Sequence, residues 1–82
     1  MVMFWVYILQ SLKDKRTYTG YTKDLIKRLQ QHNAGQVKAT KHRKPMKLLF
    51  SEQFQTEQQA KNHELWWKSG SGRRELKKFF KT

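Results

Sequence analysis

The sequence predicts a small α+β domain built on an antiparallel sheet, and three observations carry that expectation. The chain opens on a continuous aromatic and β-branched run, Phe4-Trp5-Val6-Tyr7-Ile8-Leu9, as suits a strand covered on both faces. Further apolar segments alternate between strand-like and helix-like spacing. Short polar turns separate them, with no internal repeat and no linker rich in Pro, Gly or Ser. The resulting order is strand, strand, helix, strand, helix, helix.

Taken in turn, Phe4 to Leu9 forms the first strand, and the polar stretch Ser11 to Lys15 is short enough to close a hairpin. Arg16 to Tyr21 forms the second strand, with Gly20 marking a close backbone approach or a bend. Thr22 is the expected N-cap of a helix that carries Asp24 in its first turn and runs to about Asn33, where Ala34-Gly35 ends it. Leu25 and Leu29 share one face of this helix, flanked by Ile26. Residues 35–45 form a basic loop, and Met46 to Phe54 the third strand. Thr56-Glu57-Gln58-Gln59 has the capping-box pattern and opens a second helix to about Lys68. Ser69-Gly70-Ser71-Gly72 breaks it, and Arg73 to Phe80 forms a short basic third helix that docks through Leu76, Phe79 and Phe80.

Composition narrows the function. Eighty-two residues suit one domain, expected to span positions 1–82. Eighteen Lys and Arg against six Asp and Glu give a formal charge of +12, which points to a polyanionic partner: nucleic acid, an anionic membrane or an acidic protein. A 37% hydrophobic content still supports a core. Without cysteine there is no disulfide framework, thiolate zinc site or cysteine nucleophile. No apolar run approaches the roughly 20 residues of a membrane helix, and no signal-peptide pattern precedes or follows the first apolar run. The basic residues do not gather on one strongly amphipathic helix, so a membrane surface is disfavoured. A cytoplasmic protein is the expectation.

Several polar residues fall on core-directed elements. Tyr7 and Tyr18 lie mid-strand and become neighbours if the hairpin closes at residues 11–15. Arg28 and His32, four apart, project beside the Leu25–Leu29 seam. Ala60 and Trp67 define the buried stripe of the second helix, and Glu64 falls about 40° from Ala60, on its border. These residue types suit phosphodiester hydrolysis. A carboxylate can hold Mg²⁺, an arginine can clamp a phosphate, and a phenol can act as base if positive neighbours lower its pKa. Singly, each also fits a plain structural role: packed aromatics, a solvated helix cation, or a surface acid paired with Lys61 or Lys68. Lys41, Arg43, Lys44, Arg73 and Arg74, in the densest basic clusters, are the expected contacts to a nucleic-acid backbone.

The same residues resemble those of the GIY-YIG nuclease domain, and most closely its small stand-alone members of bacterial type, related to the N-terminal nuclease domain of the repair excinuclease. Val6-Tyr7-Ile8 stands where that family has Gly-Ile-Tyr, and Tyr18-Thr19-Gly20 where it has Tyr-Ile-Gly. Leu25 to Asn33 matches the helix carrying the family arginine, and Ala60-Lys61-Asn62-His63-Glu64 the helix carrying its glutamate. The first motif lacks its glycine, Thr19 replaces isoleucine, and no asparagine follows Asn62.

The resemblance implies a three-stranded antiparallel sheet flanked by helices and metal-dependent cleavage of a nucleic acid, usually DNA. Tyr7 would be the general base or water-orienting group, supported by Tyr18. Arg28 would bind the scissile phosphate, His32 would assist proton transfer or orient Tyr7, and Glu64 would ligate Mg²⁺ or Mn²⁺. Sequence specificity would be slight, with targeting supplied by a protein partner. The other reading is a nucleic-acid-binding module that cleaves poorly or not at all.

Overall fold

The computed structural model describes residues 3–78. Its elements are β1 (Phe4–Ser11), β2 (Thr17–Thr22), α1 (Leu25–Asn33), β3 (Met46–Phe54), α2 (Glu57–Lys68) and α3 (Gly70–Lys77). The strands form one antiparallel sheet in the order β2-β1-β3, so the α+β class and its element order are as the sequence predicts.

The most apolar strand takes the centre because only there are both faces and both edges covered. Val6, Tyr7, Ile8 and Leu9 are all buried, and their alternation feeds two cores. Val6 and Ile8 join Ala60 and Trp67 beneath α2, with Phe50, Phe54 and Leu76 packed around them. Tyr7 and Leu9 join Met46 on the other face, where Leu25 and Leu29 of α1 pack. The pairing of β1 with β3 shifts by one residue between Ile8 and Leu9: Ile8 faces Phe50, whereas Leu9 faces Leu48.

Helix boundaries differ from expectation at two places. Thr22 stays in β2 and does not cap α1; Asp24 does, its Oδ1 accepting from the Lys27 N–H at 3.0 Å. The Thr22 hydroxyl instead accepts from the Asp24 N–H. Asp24 is therefore the cap itself, not a first-turn charge. The second difference lies at residues 69–72, which begin α3. Ser69 closes α2 and also caps α3 by accepting from the Gly72 N–H. Gly72 is buried against the Trp66 carbonyl and the Trp67 backbone, where a Cβ would collide. This glycine serves close packing between the helices, which outweighs its weak helix propensity.

Ile26 is 67% exposed and does not flank the seam. Phe79 and Phe80 lie outside the described residues. Thr56 caps α2 as its sequence indicates, accepting from the Gln59 N–H at 3.2 Å. Among the described residues no helix is long and apolar enough to cross a membrane.

Candidate active site

The register sets the site. Tyr7 stands opposite Gly20, and Tyr18 opposite Leu9, so the two tyrosines are diagonal neighbours on one sheet face. Their ring centroids are 6.4 Å apart. Gly20 leaves the space that Tyr7 occupies, since a Cβ there would lie 2.6 Å from the Tyr7 hydroxyl and 2.8 Å from its ring carbon. The close approach expected at Gly20 is thus real, and its partner is the phenol.

Helix α1 brings the next two groups. The Arg28 Nε–H donates to the Tyr7 hydroxyl at 3.4 Å, and an Arg28 amino group donates to Gln31 Oε1 at 3.1 Å. His32, one turn on, is fully buried. Its Nε2 is hydrogen-bonded to the Tyr7 hydroxyl at 3.0 Å and its Nδ1 to the Thr40 hydroxyl at 2.7 Å. The imidazole also lies edge-on to both tyrosine rings, 5.6 Å from Tyr7 and 5.1 Å from Tyr18. Tyr7, Tyr18, Arg28 and His32 are therefore in one cluster. Thr40 completes it, and sequence reasoning missed it: it sits in the aperiodic loop 35–45, where neither spacing nor composition separates it from its basic neighbours.

The electrostatics of this cluster are set first by burial. Desolvation pushes the Tyr7 phenol above its ordinary 10.0, and the charges of Tyr18 and Glu64 push the same way. The Arg28 hydrogen bond and charge pull it down without reversing the result. The expectation that positive neighbours would lower this phenol toward neutrality is thus overturned: one cation at the rim does not offset the loss of water. Burial, with Arg28 adding to it, depresses His32 to about 4. At neutral pH the site holds a phenol and a neutral imidazole. If the Tyr7 O–H donates to His32 Nε2, His32 Nδ1–H donates to Thr40, and the phenol oxygen keeps a lone pair for the Arg28 N–H.

Glu64 belongs to the other helix layer. Its side chain is 17% exposed and pairs with Lys68 at 3.5 Å. It reaches Tyr7 through its charge rather than by contact. Among the described residues no group of three or more His, Asp or Glu side chains could hold a metal ion.

The basic candidates separate. Arg43 is pinned, its Nε–H donating to Asp14 Oδ2 at 3.2 Å and an amino group to the Thr17 carbonyl at 3.3 Å. Arg73 lines the same cleft as Arg43. Lys44 lies over Gly35, Arg74 donates to the Ser71 hydroxyl, and Lys41 is exposed.

A family model described as the GIY-YIG catalytic domain matches residues 3–78, nearly the whole chain. The chain belongs to the GIY-YIG nuclease family. Among its relatives, the UPF0213 protein YsiG of Lactococcus lactis is 48% identical over 69 residues, covering 83% of this chain. The chain spans 65% of that relative's own length. A UPF0213 protein of Staphylococcus saprophyticus is 42% identical over 74 residues, 89% of each chain. The solution NMR structure of the UPF0213 protein BH0048 from Bacillus halodurans superposes with a TM-score of 0.55 at 34% identity, covering 90% of this chain and 81% of that one. The α+β architecture is thus shared with a solved relative.

GIY-YIG nucleases are generally dependent on a divalent metal. Glu64, a lone and mostly covered carboxylate, fits a hard cation that keeps several waters and takes its remaining oxygens from a phosphate. It does not fit a zinc-type site, which needs three or four protein ligands.

Proposed function

We propose that this GIY-YIG domain is a Mg²⁺- or Mn²⁺-dependent endonuclease that hydrolyses phosphodiester bonds, DNA being the favoured substrate. It has little intrinsic sequence specificity, and residues 1–82 act as a single domain in the cytoplasm. DNA repair or recombination would use such an activity, with a protein partner supplying the target. The observation that carries this reading is the convergence of Arg28 Nε and His32 Nε2 on one buried tyrosine hydroxyl. A purely structural phenol needs one partner. This one has a proton acceptor on one side and a fixed cation, able to reach a phosphate, on the other.

In the reaction, Arg28 holds the non-bridging oxygens of the scissile phosphate. Tyr7 orients the attacking water and takes its proton while passing its own to His32 Nε2, and Thr40 keeps the ring in the accepting tautomer. Oxygen–phosphorus bond formation displaces the far oxygen in line, and that oxygen takes a proton from solvent. Tyr18 walls the site and confines the water. Glu64 would hold the divalent cation, whose charge when bound stabilises the developing negative charge on the phosphate.

The test is nicking of single-stranded or branched DNA by the purified protein in Mg²⁺ or Mn²⁺. Tyr7→Phe and Glu64→Ala are expected to lower kcat by about 10²-fold or more while leaving the dissociation constant within about twofold. Activity equal to wild type in both variants would refute the assignment. The pairing of Glu64 with Lys68, which already occupies one carboxylate oxygen, favours a second reading: a binding module that cleaves weakly or not at all. That reading predicts salt-sensitive binding with no product in any metal.

A further inference from the structure

We propose that a groove along the free edge of β2 seats the sugar–phosphate backbone of the substrate strand beside the bond to be cut, an inference that rests on the nuclease reading above. Because the sheet order is β2-β1-β3, the outer edge of β2 has no strand partner among the described residues. Two clefts, of about 240 and 500 Å³, run along it. Thr17, Arg73 and Leu76 line both, so the two are continuous. The smaller is lined by Tyr18, a member of the tyrosine–histidine cluster, and by Lys68, the ion-pair partner of Glu64. The larger continues to Lys15, Arg16, Arg43 and Lys77.

Among the described residues no carboxylate lines either cleft. The nearby Asp14 is engaged by Arg43 and by the Arg16 backbone N–H. The cations come from the hairpin turn, the 35–45 loop and α3, segments far apart in sequence that the fold brings to one channel. Leu76 adds an apolar wall, as a strand with sugars and bases beside its phosphates would require.

Charges on an edge strand also discourage pairing with another chain, and that role alone would place no demand on backbone conformation. Lys15 argues for more. Its φ is +65°, in the left-handed region that favours glycine. It turns the hairpin by donating its N–H to the Ser11 carbonyl at 2.9 Å. A glycine would fill that turn with less strain, and the lysine there places a charge at the mouth of the groove.

The test measures binding of a fluorescent twelve-nucleotide oligothymidylate to the full chain in EDTA, alongside thermal unfolding. Lys15→Gly is expected to raise the melting midpoint and yet weaken binding about fivefold. The double variant Arg16→Gln/Arg73→Gln should weaken it at least about tenfold and flatten the log–log salt slope by about 1.4, two single-strand phosphate contacts. Lys47→Gln, on β3 at the opposite edge of the sheet, removes charge without touching the groove and sets the baseline. If the groove variants lose no more affinity per charge removed than Lys47→Gln, the net charge does the binding and the groove is refuted. Weak binding by the groove variants, together with a wild-type protein that cuts nothing in any metal, would support the groove and defeat the nuclease reading. Groove variants cutting at wild-type kcat/KM would do the reverse.

Discussion

The Tyr7 hydroxyl sits between a neutral base and a fixed cation, and its raised pKa has a direct kinetic consequence. Because the relay starts from a protonated phenol and a neutral imidazole, log kcat/KM should be flat between about pH 6 and 9. His32, neutral above about 4, imposes no break in that range. Initial rates on a fixed DNA substrate decide this, and a rising or falling limb near neutrality would mean another base.

The buried imidazole makes a separate claim about stability. Unfolded, His32 protonates near its ordinary 6.5; folded, it resists until about 4. The unfolded chain thus binds the extra proton between those values, so folding stability is intact above about pH 6.5 and drains as pH falls toward 4. The difference amounts to about 3 kcal/mol at most. Denaturant titrations across that window should show this slope in wild type and lose most of it in His32→Asn. Tyr7, Tyr18, Arg28 and His32 are legible as a set because strand pairing and four-residue helix spacing bring them together by geometry alone. The direction of the Tyr7 pKa is not, because desolvation depends on what covers the ring, and that belongs to tertiary packing.

At the scale of elements, α2 supplies a counter-charge to its own glutamate. One turn after Glu64, Lys68 pairs with it at 3.5 Å, so a divalent cation approaching that carboxylate meets an ammonium already there. The pair is partly exposed and worth little to stability, but it competes for the same oxygen. Lys68→Met should therefore lower the Mg²⁺ concentration giving half-maximal cleavage, by about two- to fivefold as for loss of one screened charge pair. No change in that midpoint would show that Glu64 does not hold the metal. The turn between α2 and α3 is where reading by element fails. A Ser-Gly-Ser-Gly run looks like a break, yet Ser69 caps one helix while ending another. The glycine next to the Trp67 backbone is required by contact, which no single-segment propensity contains.

Over the whole molecule, charge is not evenly spread. The β2 edge is lined by Lys and Arg, while the open pocket formed by β3, α2 and α3 carries Glu52 and Glu75 beside Trp66, 43% exposed. A net charge of +12 therefore attracts a polyanion to one side in preference to the other. The count of charges is plain in the sequence; their sorting depends on which loop meets which helix, and Arg43 beside Arg73 can be paired only once the chain is folded.

The slipped pairing between Ile8 and Leu9 is also a change of parity. Met46, Leu48, Phe50 and Phe54 all occupy even positions, and a regular strand would send them to a single side of the sheet. The additional residue, Leu49, resets odd and even midway, so Phe50 and Phe54 serve one core while Met46 serves the other. The length of β3 is thus itself information: conservative swaps at Leu49 should be absorbed, whereas deleting it would reverse every side chain on one half of the strand. We expect the deletion to abolish cooperative unfolding, and Leu49→Val to retain it with a modest loss of midpoint, as circular dichroism melts would register.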